Sequence, residues 1–458
     1  MKIRAVKAYS LKGKMLVFVI RTLAWIFSFF MGKKWEVPMT GFEENPANMS
    51  NRLINLLYFA YKYYFRPHIK DDTNGQTELY FKNQTIDFSP PQGFCEKANL
   101  TINAGGDLMP YEWIRREYCE NLWDDIGKDF FDADIVFANL ETPVDTSQPA
   151  TYVPEVMLND MLFNADQEMF SIFNGMGKYK GLDIVSTANN HGLDMEEAGV
   201  INTIEFLNKQ GIAFTGTARN EAENFNFPIL ERNGIRVAFL AYTFSLNTRE
   251  VPQGKNYLIN HIRLNVKDVD LSLITKHCVS ARQRGADFVV ASLHFGNAYQ
   301  CYPSKHIMEN AHRVFDECGV DLILGGHPHN IQPMERYEFV CPFSGVSKQG
   351  FIIYSLADFI ACDIFTWCHL PVYLKLNLKK GTWNGKEICL LTNVEAVPVY
   401  TCATYKSSKQ RSLYLLNAAS VQNGQNEKSS KILSTYHRAE LNHLLKFYNN
   451  HFNNFRSK

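Results

Sequence analysis

A chain of 458 residues is too long for one small domain and fits one large or two medium ones. Hydrophobic residues make up 46% of it, which permits a sizeable core and excludes wholesale disorder. The 47 basic and 47 acidic residues cancel, so there is no whole-chain electrostatic case for nucleic-acid binding, and no nucleic-acid partner is expected.

The balance is uneven along the chain. Residues 1–34 hold eight basic side chains, from Lys2 to Lys34, and no acid. Between them Met15–Gly32 is apolar and aromatic, interrupted by Arg21. A basic, apolar, aromatic-rich start has the pattern of a membrane contact. Residues 1–34 therefore read as an uncleaved signal-anchor, an interfacial helix, or a basic terminal helix packed on the domain. No small-residue cleavage site follows, which argues against a removed signal peptide. The first two readings make the protein membrane-associated, and the third leaves it cytoplasmic.

Residues 35–97 read as a helical and irregular lead-in, with a helix expected over Asn51–Arg66. From residue 98 to about 402 short apolar runs alternate with helical patterns. The runs are Leu100–Asn103, Ile135–Ala138, Ile184–Thr187, Val237–Tyr242, Phe288–Leu293, Leu322–Leu324 and Phe351–Tyr354. Helices are expected over Glu196–Lys209, Asp268–Arg284 and Ser304–Cys318. Ile201, Ile204 and Leu207 recur as one buried helix face would. Three joints, Gly181-Leu-Asp183, Gly285-Ala-Asp287 and Gly319-Val-Asp321, each precede a strand, and a glycine there can end a helix in the left-handed conformation. The repetition predicts an α/β architecture with layered sheet. Residues 403–458 are polar and rich in Asn, Ser and Lys, and predict a peripheral tail with a helix over Ser434–Tyr448. The ten cysteines are scattered without CxxC spacing, which argues against a cysteine zinc site; Cys278 and Cys318 read as small buried apolar residues.

Five of the strands run straight into metal-competent residues. Leu100–Asn103 leads to Gly105-Gly-Asp107, Ile135–Ala138 to Asn139-Leu-Glu141, and Ile184–Thr187 to Ala188-Asn-Asn-His191. Phe288–Leu293 leads to His294-Phe-Gly296, and Leu322–Leu324 to Gly325-Gly-His-Pro-His329. In open α/β sheets ligand sites gather beyond the carboxyl ends of strands. Any one of these motifs alone is a turn, a cap or a structural histidine; five in this order point to a shared site. Carboxylate, amide oxygen and imidazole together suit Mn, Fe or Zn. A bridging carboxylate can hold two cations about 3.5–4 Å apart, a pair that activates water and clamps a phosphoryl oxygen. A separate histidine can protonate the leaving group.

The order GD, NLE, ANNH, HFGN, GGHPHNIQP, YSLADF resembles that of the CapA, or poly-γ-glutamate capsule-synthesis, family of bacteria, over about residues 98–400. That family in turn resembles the calcineurin-like metallophosphoesterases. The resemblance implies a layered β-sandwich flanked by helices and two divalent metal ions. Asp107 and His329 would hold the first ion, Glu141 would bridge, and Asn190, His294 and His327 would hold the second. His191 would be the general acid or would orient the phosphoryl group, with Asn139 and Gln332 orienting the ligands. The implied function is metal-dependent hydrolysis of a phosphoester, or of an amide, in capsule or poly-γ-glutamate biosynthesis. The alternative is a non-catalytic, membrane-tethered accessory that binds an anionic polymer.

The chain departs from the pattern in places. Met109 stands where the wider phosphoesterases have a histidine two positions after the first aspartate, leaving the first ion one ligand short. Ala298 replaces a usual Glu, Gly326 a frequent His, and Ala357-Asp358 a frequent Gly-Asn. The inferred ligands survive these changes, while the usual Glu, a substrate contact or proton carrier in the resemblance, is lost.

Overall fold

The computed structural model describes residues 3–31, 35, 53–66, 75–157, 161–407 and 410–452. The ends of the expected basic segment, much of the lead-in, Asn51 and Arg52 of the expected helix, and residues 453–458 of the tail lie outside the described residues.

Two sheets carry the fold. The chain enters the first with β1 (Cys95–Leu108), β2 (Ile135–Leu140), β3 (Ile184–Ser186) and β4 (Ala213–Thr215). It crosses to the second with β5 (Ile229–Arg232), β6 (Ile235–Thr243), β7 (Phe288–His294), β8 (Leu322–Gly326), β9 (Gln332–Val340) and β10 (Ser347–Ser355). It then returns to the first with β11 (Asp358–Ile360), β12 (Val372–Trp383), β13 (Lys386–Ser407) and β14 (Gln410–Asn417). The orders are β14-β13-β12-β1-β2-β3-β4, with β11 beside β1, and β5-β6-β7-β8-β10-β9. Strands β1 to β4 pair in parallel, as do β6 with β7, β7 with β8 and β8 with β10. Parallel pairing puts the carboxyl ends of the central strands of each sheet on one edge, which is where the site lies.

Period-two alternation sorts the strands into layers. In β2, Ile135 and Phe137 face the other sheet, while Val136, Ala138 and Leu140 face outward. In β7, Phe288 and Val290 face inward, while Val289, Ala291 and Leu293 face outward. The longer helices are α1 (Leu11–Met31), α2 (Leu53–Phe65), α3 (Glu196–Gln210), α4 (Ser272–Gln283), α5 (Lys305–Cys318) and α6 (Thr435–Phe452). Helices α4 and α5 cover the outer face of the second sheet with Ile274, Cys278 and Ala281, and with Ile307, Ala311, Val314 and Cys318. That spacing is the apolar stripe of a helix, and each fully buried large aliphatic side chain in it contributes about 1.5–3 kcal/mol. Trp113, Trp123, Phe130 and Phe131 cover the outer face of the first sheet. The result is the expected α/β class: a sandwich of two sheets flanked by helices.

The Gly-x-Asp joints have a second use beyond the turn. Gly319 ends α5 at φ 67°. The aspartate that follows each glycine accepts a backbone N–H from the start of a neighbouring strand: Asp183 from Val136 at 2.8 Å, Asp287 from Arg236 at 2.9 Å, and Asp321 from Val289 at 2.8 Å. Each joint thus aligns two strand starts.

The end of the chain departs from the expected peripheral tail. Strand β14 is the edge of the first sheet, and α6 buries Leu441, Leu444 and Leu445 in the inter-sheet cluster. Three leucines on one helix face are enough to dock it, although the composition around them is polar. The start of the chain also folds onto the domain. Val6 pairs with Phe365 and Tyr9 is buried. Helix α1 leaves from there with Leu11, Met15, Phe18, Trp25, Phe29 and Phe30 exposed. It is long and apolar enough to cross a membrane, by length and composition.

Candidate metal centre

Asp107 is the last but one residue of β1 and Asn139 the last but one of β2, as register partners. Asn139 Nδ2 donates to Asp107 Oδ1 at 2.8 Å and lies 3.3 Å from His294 Nδ1. Asn139 is held in turn by Asn189, whose Nδ2 donates to the Leu140 carbonyl at 2.7 Å and reaches Asn139 Oδ1 at 3.4 Å. Glu141, one residue past β2, lies with Oε1 3.6 Å from His294 Nε2. The other neighbour of His294 Nε2 is Asn190 Oδ1, at 2.8 Å. Asn190 keeps that oxygen forward because its Nδ2 donates to Asn247 Oδ1 at 3.1 Å. One cluster therefore joins Asp107, Asn139, Glu141 and Asn190 of the first sheet to His294 of the second.

The turn after β8 delivers the remaining imidazoles. His327 and His329 flank Pro328 and both have left-handed backbones, at φ 95° and 61°. Such conformations are costly for residues with a Cβ and persist where the surroundings impose them. The backbone N–H of His327 donates to Asp107 Oδ2 at 3.2 Å, which pins the turn to β1. The His327 ring centre is 5.1 Å from that of His294 and 5.8 Å from that of His329. His329 Nδ1 is 2.8 Å from Asp358 Oδ1. At Gly326 an added Cβ would stand 2.8 Å from Asp107 Oδ1 and 3.3 Å from His294 Nδ1. Glycine here leaves those two side chains room to converge.

Electrostatics single out the same residues. Burial, with Asp358 nearby, pushes the Asp107 carboxyl up to about 6. Burial, reinforced by Asp107 and Asp358, pushes Glu141 well above the usual carboxylate range. Burial drives His294 and His327 well below the usual imidazole range, helped by the neighbouring histidines, His191 among them. Burial also lowers His329, but the Asp358 carboxylate outweighs it and the net shift is upward. Both carboxylate oxygens of Glu141, His327 Nδ1 and Asp358 Oδ2 are buried without a hydrogen-bond partner among the described residues. Buried carboxylates and imidazoles with free lone pairs are what a divalent cation satisfies. The donor atoms of Asp107, Glu141 and His294 lie within 4.8 Å of one another, as do those of Asp107, His329 and Asp358. The residues present thus fit a divalent metal ion, with Asp107 common to both groups.

Two expected residues stand slightly apart. His191 stacks on Phe163, ring centres 3.5 Å apart, and its Nδ1 is 2.6 Å from Asp194 Oδ2. Gln332 Nε2 donates to the Gln300 carbonyl at 2.9 Å, so it braces the Tyr299–Gln300 segment and not a ligand side chain. Asp358, Asp194, Asn189 and Asn247 were not among the expected site residues. Asn189 and Asp194 lie within three residues of His191, and Asp358 follows the strand Phe351–Tyr354. No disulfide joins the ten cysteines, all of which are among the described residues; a further group of close donors joins Asp358, Asp363 and Cys368.

The comparisons with known proteins agree with the motif order. The profile described as "Bacterial capsule synthesis protein PGA_cap" matches residues 101–362. The chain is 27% identical to the capsule biosynthesis protein CapA of Bacillus anthracis over 274 residues, 58% of this chain and 60% of that protein. It is 23% identical to the PGA biosynthesis protein CapA of Bacillus subtilis over 306 residues, 65% of this chain and 73% of that protein. Among solved structures, a calcineurin-like phosphoesterase, YfkN of Bacillus subtilis, matches with a TM-score of 0.34 and 14% identity, covering 76% of this chain and 99% of that one. The sulfate thiohydrolase SoxB of Thermus thermophilus matches with a TM-score of 0.33 and 11% identity, covering 78% and 62%. At these scores the structural likenesses carry no further argument.

Proposed function

Because the chain belongs to the bacterial capsule synthesis family PGA_cap, we propose that it is a metal-dependent hydrolase that cleaves a phosphoester during the making of a capsule or poly-γ-glutamate polymer. One observation carries this reading: both Glu141 carboxylate oxygens are buried beside Asp107 and His294 with no hydrogen-bond partner among the described residues. A structural carboxylate would have donors; this one has the surroundings of a ligand. Asp107, Glu141, Asn190, His294, His327 and His329 would hold two divalent ions of the Mn, Fe or Zn kind. Such ions, when bound, activate a water and neutralise charge on a phosphoryl oxygen.

The chain's own groups do the rest. Asn139 fixes Asp107 and faces His294. Asp194 holds His191 Nδ1, which leaves Nε2 as the atom that passes a proton to the leaving oxygen. Phe163 fixes the ring plane. The exposed apolar face of α1 supports a membrane contact through residues 1–34, which would keep the site close to envelope polymer as it is made. The test is metal content together with hydrolysis of a phosphoester panel. Stoichiometric metal and turnover that is lost in His191→Ala support the reading; metal-bound protein inert on every phosphoester refutes the catalytic part.

A second reading has its own support. Ala298 stands where the family usually has Glu, and its carbonyl is occupied by Lys62 Nζ at 3.2 Å. A tethered accessory that holds an anionic polymer without cleaving it would need no acid there. Binding of polyglutamate that survives both chelation and His191→Ala favours it.

A further inference from the structure

We propose that Asp358 is a metal ligand, and that it supplies the coordination lost where Met109 stands in place of a histidine. The inference rests on the metal-site reading above and adds a residue outside the expected ligand set.

Met109 does not take part in the centre. Its side chain is buried in the cluster on the outer face of the first sheet. Asp358 reaches Asp107 by a different route. Strand β11 lies parallel to β1 with Asp358 opposite Asp107. The approach is set by Ala357, which has a left-handed backbone at φ 67° and whose carbonyl accepts the Asp107 N–H at 3.0 Å. Its N–H is held by Ser355 Oγ at 3.1 Å. An alanine in that conformation is strained by about 1–2 kcal/mol relative to glycine, and it persists here at the edge of the site.

The result is a third carboxylate in a buried cluster. Asp358 is 1% exposed. Its Oδ1 faces His329 Nδ1, and its Oδ2 is buried with no hydrogen-bond partner among the described residues. Donor atoms of Asp107, His329 and Asp358 lie within 4.8 Å of one another. An asparagine, frequent at this position in the family, could accept from His329 but would bring no charge. The aspartate brings a negative charge and a free lone pair to the ion that is short of a ligand. The competing role is purely orienting: Asp358 would only hold the His329 ring, as carboxylates behind metal-bound histidines do.

Asp358→Asn separates the two roles. The amide oxygen can still accept from His329 Nδ1–H, so orientation survives while the anionic ligand is lost. Full-length protein and the variant would be purified in detergent, loaded with Mn or Zn, dialysed and assayed for metal by mass spectrometry. Thermal melts with and without metal give a second readout and show that the variant is folded. Wild type is expected to retain about two equivalents and the variant about one, with a smaller metal-induced rise in melting temperature. A variant that retains the wild-type content and the wild-type rise overturns the assignment and leaves the metal centre standing. Wild-type protein that takes up no metal overturns the metal centre itself, and Asp358 with it.

Discussion

His294 Nε2 lies 2.8 Å from Asn190 Oδ1, so a histidine that ends a strand of the second sheet meets an amide that follows a strand of the first. The centre is therefore a joint between the two sheets as well as a ligand set. His294→Ala should remove one ligand and one inter-sheet contact, and metal content measured by mass spectrometry should fall by about one equivalent. Asn139→Ala removes no ligand, but takes away the bond that orients Asp107, the amide facing His294 and the acceptor for Asn189. It should weaken metal affinity by about 10- to 100-fold, read by competition with a chelator, without changing the ligand count.

His191 is separable from the metal ligands because its partner is Asp194. His191→Ala should leave metal content unchanged and lower kcat by about 10²- to 10⁴-fold, the usual range for a lost general acid. The loss should shrink with substrates whose leaving group needs no proton, such as a nitrophenyl ester. A uniform loss across leaving groups would point to positioning of the phosphoryl group instead. Asp194→Asn should lower the rate less, through misorientation of the ring.

The parts of the centre that the sequence makes legible are those where one strand runs directly into one polar motif. Asp107, Glu141, Asn190, His294, His327 and His329 all have that form, because parallel strands point their carboxyl ends one way. Asp358 lacked it. The strand before it is readable, but the left-handed Ala357 re-aims the chain by one residue, and nothing in the apolar pattern announces such a turn. Asn189 was hidden by its neighbour, since in an Asn-Asn-His run either amide can face the site. Strand β12 was legible in principle: Leu374, Leu376 and Leu378 alternate with Lys375, Asn377 and Lys379. The docking of α6 was not, since its three buried leucines are diluted by polar residues and their partners lie far away in sequence.

That docked helix has a titratable anchor. Glu440 Oε1 is 2.9 Å from His369 Nδ1 and accepts the Tyr400 hydroxyl at 3.0 Å, with Lys7 Nζ 3.7 Å from Oε2. Burial raises the Glu440 carboxyl, but His369, Lys7 and Tyr400 outweigh it and hold it at about 2. A carboxyl depressed in the folded state stabilises fully above its ordinary value near 4.5 and loses that contribution as pH falls toward 2. The contribution is on the order of 3 kcal/mol. Urea midpoints should therefore drop between about pH 4.5 and 2 in the wild type. Glu440→Gln should be less stable at pH 6 and show a flatter acid limb, because its amide does not titrate.

The last prediction concerns which side of a membrane the amino terminus occupies. Residues ahead of α1 are part of the domain: the Lys7 N–H donates to the Ile364 carbonyl at 2.7 Å and the Thr366 N–H to the Ala5 carbonyl at 3.0 Å. Helix α2 packs antiparallel to α1, since Tyr58 clusters with Phe27 and Met31 while the Arg21 guanidinium lies 5.6 Å from the Phe65 ring centre. Tyr63 of α2 then stacks on Phe365 with ring centres 3.3 Å apart, beside the point where Val6 pairs. Both helices are thus rooted on one face of the domain. A signal-anchor in the ordinary sense would carry residues 3–10 across the bilayer and away from their partners. A membrane contact through the exposed face of α1 that keeps these bonds leaves the amino terminus on the domain's side. In sealed vesicles, a cysteine placed at residue 2 and the natural exposed Cys95 should therefore show the same accessibility to an impermeant maleimide. Opposite accessibility would mean that residues 3–10 leave the domain when α1 inserts.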